Sequence, residues 1–285
     1  MVESIGKLYV VATPIGHLAD LSERAKHTLS NVDWVAAEDT RHSLCLLNSI
    51  NVSAKLISYH QHNEQARTKG LIEKLKAGQS GALISDAGTP LISDPGFSLI
   101  QAAHLNGITV IPIPGCSAVM AALSVCGLPV DRFYFEGFLP AKSSARKKRI
   151  NELNNLNCTF VLFESPHRVK NMLEDMVEIL QGDRQVFIGR ELTKKYEMAR
   201  LSYLQEVLTS VSNELIPCKG EFVFVVQGKE QTALSEDEQK MQSVLDILLT
   251  AVPLKQAVQL AVQLTGLPRN KLYECATKRL ANEVN

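Results

Sequence analysis

The sequence predicts an α/β protein with two α/β domains and a small helical module at its C-terminal end. Three observations carry this reading. From residue 7 to about residue 228, short β-rich runs alternate with helical patterns, which predicts βαβ units around a mostly parallel sheet. Loops rich in glycine, proline and small polar residues follow the apolar runs, where strands must end. Beyond residue 235 the pattern becomes almost purely helical. The expected divisions are 1–114, 115–230 and 235–285.

The elements follow in order. The start, "MVESIGKLYVVATPIG", carries an acid at Glu3 and too short an apolar core for a secretory leader, so "KLYVVAT" (7–13) reads as a first strand. A helix follows, opened by Asp20 and Glu23 at capping-box spacing. "WVAAED", "KLISY", "GALIS" and "TVIPIPG" read as further strands, separated by "HSLCLLNSI", "NEQARTKGLIEKLKAG" and "FSLIQAAHLNG". In "PIPGCSA" (112–118) the prolines stop a strand, and Ser117 can cap the next helix. A second set, from "RFYFEGF" to "EFVFVVQG", ends near Gly228. The tail opens with the capping box Ser235-x-x-Glu238, and two short helices around "TGLPR" outline a helix-turn-helix. A helical cap, a dimer contact and a nucleic-acid reader all fit that outline.

Composition narrows the function classes. Lys+Arg and Asp+Glu both total 30 in 285 residues, so no global basic field announces nucleic acid. The six cysteines are scattered without C-x-x-C, which suits a reducing cytoplasm and argues against a disulfide scaffold or structural zinc. No apolar stretch approaches the roughly 20 residues that span a bilayer. Dinucleotide, P-loop and nucleophile-elbow motifs are missing from the sequence. His60 and His62 would share one face of an extended "SYHQH". No third ligand follows at a recognisable spacing, so no metal is expected.

What remains is a set of six strand-end loops: "ATPIGHLAD", "AAEDTRH", "ISDAGTPLISDPG", "PGCSA", "FESPHR" and "RELTKKYE". Singly, each could be only a well-formed turn. Parallel topology sends several to one rim, where ligands of such sheets bind. These motifs resemble the tetrapyrrole methylase superfamily of S-adenosylmethionine-dependent methyltransferases over about residues 7–228. Within it "VATPIGHLADLSERA", "AAEDTRH", "SDAGTPLISDPG", "GFLPAK", "ESPHR" and "RELTKKYE" are similar to a branch that methylates a cytidine ribose 2′-oxygen in 16S ribosomal RNA.

The resemblance implies a mostly parallel sheet, then a mixed one, with the cofactor in the cleft between them and usually a homodimer. Carried over by motif, Pro14, Ile84, Ser85, Asp86 and Thr89 belong to the first cofactor loops. Ser117 and Ala118 match the P-G-x-S-A contact, and Phe163 and Leu192 match positions beside adenine. The chain has "SDA" where tetrapyrrole enzymes favour G-D-P, and "LT" where they favour G-T, which argues against a porphyrin-like substrate. Read from the residues alone, Asp86 before Ala-Gly would equally suit a turn aspartate.

The basic segment "AKSSARKKR" gives Lys142, Arg146, Lys147, Lys148 and Arg149, with Arg168 nearby, as candidate phosphate contacts. Alone, such a run is also an ordinary solvated face. Methyl transfer to a ribose hydroxyl needs alignment and support for a developing alkoxide. Glu164, Glu38, Asp39, Arg41 and His167 are the candidate catalytic residues. The expected cofactor is S-adenosylmethionine, and the expected partner is 16S rRNA in the small ribosomal subunit. The competing expectations are a small-molecule, tetrapyrrole-type methyltransferase and a non-catalytic RNA-binding assembly factor.

Overall fold

The computed structural model describes residues 5–229 and 236–282. Glu3 and Ser235 lie outside them, and with Ser235 the expected capping box of the tail. Residues 1–229 form one compact unit that holds two sheets, and residues 230–285 form another.

The first sheet is entirely parallel, in the order β3-β2-β4-β1-β5. Its strands are β1 (Leu8–Val11), β2 (Trp34–Ala37), β3 (Lys55–Ser58), β4 (Gly81–Ile84) and β5 (Val110–Ile113). Alternation sets the two faces. Val35, Ala37, Ala82 and Ile84 pack with Ala25 and Leu29 of α1 (Glu23–Asn31) and Leu46 and Leu47 of α2 (Thr40–Ser49). Trp34, Ala36 and Leu83 face the other way, onto Leu71 and Leu75 of α3 (Glu64–Lys76) and Leu99 of α4 (Phe97–Leu105). Both faces are covered, as a parallel sheet requires.

Two local expectations change. Asp20 closes a short 3-10 turn, and Ser22, not Asp20, caps α1 by accepting from the Ala25 N–H at 3.1 Å. Pro112 sits inside β5 rather than stopping it. β5 is an edge strand, where a missing N–H costs no ladder bond.

The second sheet is mixed, in the order β6-β7-β10-β8-β9, with only β6 and β7 parallel. It comprises β6 (Phe133–Phe138), β7 (Thr159–Glu164), β8 (Gln185–Arg190), β9 (Met198–Tyr203) and β10 (Phe222–Val226). Val161, Phe187, Val223 and Val225 pack against α5 (Ala118–Val125). The opposite face, with Phe160, Phe222 and Phe224, buries against α6 (Ser143–Leu153), α7 (Val169–Leu180) and α8 (Leu204–Ser212).

The basic run is α6, and most of its charge is already committed. Arg146 is buried, with Nε 2.7 Å from Asp175 of α7 and a further bond to the Ala141 carbonyl. The expectation that Arg146 meets RNA is therefore wrong: a guanidinium inside the α6–α7 seam cannot reach phosphate. Lys147 pairs with Glu178 at 2.6 Å, and Arg149 with Glu136 at 2.6 Å and Glu152 at 2.7 Å. Lys142 and Lys148 are exposed and have no ion pair among the described residues.

The C-terminal unit packs α9 (Glu236–Ala251), α10 (Leu254–Thr265) and α11 (Arg269–Asn282) around Leu245, Val258, Ala261 and Leu272. Among the described residues no helix is long and apolar enough to cross a membrane. Breaking a buried ion pair strands the remaining charge, at a cost of roughly 3–5 kcal/mol. Arg146→Ala is expected to lower the free energy of unfolding by about 3 kcal/mol. Lys148→Ala, on the exposed face, is expected to stay within about 0.5 kcal/mol; urea titration of both variants checks the contrast.

Candidate active site

In the first sheet the crossover leaving β1 runs past β4 toward β2, and the crossover leaving β4 runs past β1 toward β5. The neighbours β1 and β4 are therefore a topological switch point, where the loops part and leave a crevice. The loops beyond these strands are tied across it. Thr13 and Gly88 exchange both backbone bonds, at 2.9 and 3.0 Å, in an isolated antiparallel bridge. Gly88 has φ +85°, a conformation that disfavours any residue with a Cβ. The Thr13 hydroxyl donates to the Ser85 carbonyl at 3.1 Å, and the Thr89 hydroxyl donates to the Cys116 carbonyl at 2.9 Å. At the far end, Glu64 of α3 accepts from the Gly96 N–H and the Ser98 hydroxyl.

Against these loops stand the strand ends of the second sheet, and a cavity of about 420 Å³ lies between. That is within the range of small-molecule sites. From the first side come Asp86, Thr89, Asp94 and Glu38; Ser117 and Ala118 open α5; Phe163, Glu164 and Leu192 come from the second side. Six of the nine sequence-derived cofactor positions line this cavity: Asp86, Thr89, Ser117, Ala118, Phe163 and Leu192. Three do not. Ile84 is buried with its side chain in the core, and Ser85 is buried with its hydroxyl donating to the Gly88 carbonyl, so both shape the loop from behind. Pro14 lines an adjoining cavity instead.

The electrostatics of the first wall are strongly acidic. Desolvation and the neighbouring Glu38 push the Asp94 carboxyl up to about 6, with Asp86 adding to the rise and Ser85 offsetting part of it. Burial and Asp86 raise Glu38 likewise, against a smaller lowering by His60. Such a wall is frustrated when empty and suits a cation. Asp86 is aimed by its neighbour, since its Oδ1 accepts from the Asp39 N–H at 3.1 Å.

The candidate catalytic residues divide. Glu38 and Glu164 line the cavity. Asp39 does not: it caps α2, accepting from the Arg41 N–H at 2.8 Å, and Arg41 holds its carboxyl down at about 2. The pair is a helix cap, and its guanidinium faces solvent. His167 is exposed and lies outside the cavity lining. His60 and His62 occupy a turn after β3, not an extended segment, with ring centroids 5.9 Å apart.

Glu164 ends β7 and is buried. Its Oε1 accepts from the Ser165 N–H at 2.8 Å, while Oε2 has no hydrogen bond among the described residues, though Arg168 lies 3.2 Å away. Desolvation raises its pKa, against the pull of Ser165, Arg168 and Arg146. The Glu164 side chain has no accessible surface and its Oε2 meets Arg168, so the carboxylate is held as a buried ion pair behind the cavity wall. Arg168 turns inward to Glu164 and the Leu139 carbonyl, which corrects its expected role as a phosphate contact.

Several lining residues escaped sequence reasoning. Phe138 ends β6, Val223 lies in β10 and Glu221 just before it, all remote in sequence from the first wall. Asp94 stood in the quoted loop, but its significance comes from Glu38 and Asp86, which only folding brings near. Backbone strain was also illegible: Leu91 and Ser93 on one rim, Glu191 and Thr193 on the other, all have positive φ. Strain of this kind gathers at functional sites.

The parallel sheet, the switch-point cavity and the mixed second sheet define a class, and comparison identifies it. Residues 7–207 match Tetrapyrrole (Corrin/Porphyrin) Methylases, and residues 235–280 match the RsmI C-terminal HTH domain. The chain belongs to the tetrapyrrole methylase family of S-adenosylmethionine-dependent methyltransferases. A Vibrio cholerae protein named Ribosomal RNA small subunit methyltransferase I is 44% identical over 96% of this chain and 95% of its own. A Pseudomonas aeruginosa protein of that name is 44% identical over 97% and 98%. Among solved structures, uroporphyrin-III C-methyltransferase from Thermus thermophilus, complexed with S-adenyl homocysteine, has a TM-score of 0.54 at 14% identity, covering 78% of this chain and 97% of that one. Diphthine synthase has a TM-score of 0.58 at 15% identity, covering 78% and 90%. At such identity the likeness is one of fold.

The acidic wall generates a prediction. Asp94 has a folded pKa above its ordinary value of 3.8. It is therefore harmless below about pH 4 and destabilises the ligand-free protein increasingly as pH rises through about 6. Asp94→Asn is expected to raise ligand-free stability at neutral pH by about 1 kcal/mol, allowing for solvent screening. The gain is expected to vanish in acid, and affinity for a sulfonium ligand to fall. Thermal unfolding across pH, with and without S-adenosylmethionine, checks all three.

Proposed function

We propose that this protein methylates the ribose 2′-hydroxyl of a cytidine in 16S rRNA, using S-adenosylmethionine, on the small ribosomal subunit. The observation that carries the substrate is likeness to the named relatives along nearly the full length of the chain, helical tail included. The residues present fit the cofactor: an acidic wall for a sulfonium and an ammonium, hydroxyls at Thr89 and Ser117, and Phe163 and Leu192 for an apolar ring face. When bound, that cofactor supplies an activated methyl group.

The chain's own residues then have definable tasks. Glu38, Asp86 and Asp94 hold positive charge at the first wall, and the tied loops fix its position. Glu164, in the cavity wall with its pKa raised by desolvation, is the candidate base for the hydroxyl that must lose a proton; its side chain is covered in this structure and paired with Arg168. Arg168 is the positioning partner of Glu164. Exposed Lys148 of α6 and Lys142 just before it remain as candidate phosphate contacts, and in the C-terminal unit Arg269 and Lys271 of α11 are exposed as well. A second copy of the chain would cover exposed apolar side chains such as Met120 and Val125 of α5, which supports a homodimer. A ribosomal substrate implies a cytoplasmic place of work.

Radiolabelled methyl transfer tests the reading. Label is expected in 16S rRNA when small subunits are offered, and none in porphyrinogens; label in porphyrinogens alone overturns it. Glu164→Gln is expected to slow transfer roughly 10²–10⁴-fold while cofactor affinity persists. Asp86→Ala is expected to abolish cofactor binding in calorimetry while thermal unfolding stays cooperative.

A further inference from the structure

Beyond the end of β3, His60 carries a ring proton that has no acceptor, and Asn63 fixes which nitrogen holds it. The Asn63 Oδ1 accepts from the His60 N–H at 2.9 Å, and its Nδ2 donates to the Ser58 carbonyl at 3.2 Å, so the amide can face only one way. The same Nδ2 lies 3.1 Å from His60 Nε2, which must therefore accept. The proton is left on Nδ1. That atom is buried and has no hydrogen-bond partner among the described residues. Buried polar groups are nearly always paired, so one left open calls for a reason.

The sheet supplies one. β2 and β3 pair in parallel, and the Tyr59 N–H carries their ladder one bond further, to the Ala37 carbonyl at 2.8 Å. The next bond of that ladder would join the Asp39 N–H to the Tyr59 carbonyl, but the Asp39 N–H goes to Asp86. The two chains part there, with Glu38 on one side and His60 on the other. Paired strands are only about 4.8 Å apart, so these two side chains start as neighbours. Glu38 lines the cofactor cavity, and no hydrogen bond acts on its carboxyl, only desolvation and the charges of Asp86 and His60. Of the raised carboxyls in that wall (Glu38, Asp94 and Glu164), it alone responds to His60.

We propose that His60 is a positioning residue for the methyl donor: its Nδ1–H is the donor kept for one oxygen of Glu38, which turns the other oxygen to the positive charge of S-adenosylmethionine. The inference deepens the reading of the acidic wall given above and rests on it. Because Nδ1 is covered, the acceptor has to be a side chain of the protein. Bonds of this kind are often long or misaligned until the site is loaded, and tighten with it. The other titratable groups beside His60 are spoken for or turned away. Glu64, whose N–H donates to the His60 carbonyl, gives its carboxylate to the Gly96 N–H and the Ser98 hydroxyl. His62 meets the ring edge-on and is exposed. Asp86 acts on Glu38, and Glu38 in turn on Asp94.

Calorimetry with S-adenosylmethionine from about pH 5 to pH 8 tests the assignment. Wild-type affinity is expected to fall in acid, as the raised carboxyls of the wall take up protons. His60→Phe removes the donor, so Glu38 is expected to keep its proton to higher pH. The midpoint of the fall is expected to move up by about one pH unit, leaving affinity in acid roughly fivefold weaker than wild type. His60→Asn puts an amide donor where Nδ1 stood and is expected to keep the wild-type midpoint. Thermal unfolding checks that the variants fold, and His60→Ala replaces the phenylalanine variant if its ring disturbs the turn. A midpoint that stays put or moves down in the donorless variant overturns the proposal, as does an asparagine variant that shifts equally far. Wild-type affinity that is flat across the range refutes the acidic wall itself, and leaves His60 nothing to position.

Discussion

The paired backbone bonds between Thr13 and Gly88 are the constraint on which the site depends. They join the loops of two adjacent strands whose crossovers leave in opposite directions, at the point where the sheet topology opens a crevice. That tie, with the hydroxyl bonds of Thr13, Ser85 and Thr89, holds in one shape a loop carrying Asp86, Asp94, two prolines and two strained residues. With it, the carboxylates stand at fixed positions before any ligand arrives, and binding need not supply the ordering cost.

The cavity built on this tie is uneven in charge by design of its two sides. Three carboxylates from the parallel sheet's loops face one another closely enough to raise two of them. Across the space, the second sheet contributes aromatic and apolar side chains and one buried carboxylate, Glu164, paired with Arg168. In the proposed reaction, cation recognition and proton removal fall to different sheets. The chemistry needs both because a base that also neutralised the sulfonium would lose its basicity. Stability is given up on the acidic side, as a site that recognises charge requires.

The basic helix shows the reverse economy. Five cations in one run looked like a phosphate surface, yet Arg146, Lys147 and Arg149 bind α6 to α7, to β6 and to α6 itself. Only their partners, Asp175, Glu178 and Glu136, distinguish a structural seam from a nucleic-acid contact, and those lie between 13 and 31 residues away along the chain. Asp39 and Arg41 gave the same false signal over a shorter range, since a capping aspartate and its neighbouring arginine have the composition of a catalytic pair.

The sequence by itself determined the alternation of strands and helices, the loops at the strand ends and the residue types gathered there. These are local properties, written in periodicity, turn chemistry and short motifs. It singled out Asp86, Thr89, Ser117, Phe163 and Glu164, all of which line the cavity, because each sits inside such a motif. Tertiary structure alone decided that Glu38 helps raise Asp94, that Glu164 is buried against Arg168, that Arg146 is buried, and that a second cavity adjoins the first through Asp86–Ala87. The reason is physical: desolvation, charge coupling and enclosed volume depend on distances between chain segments, and no single segment carries them.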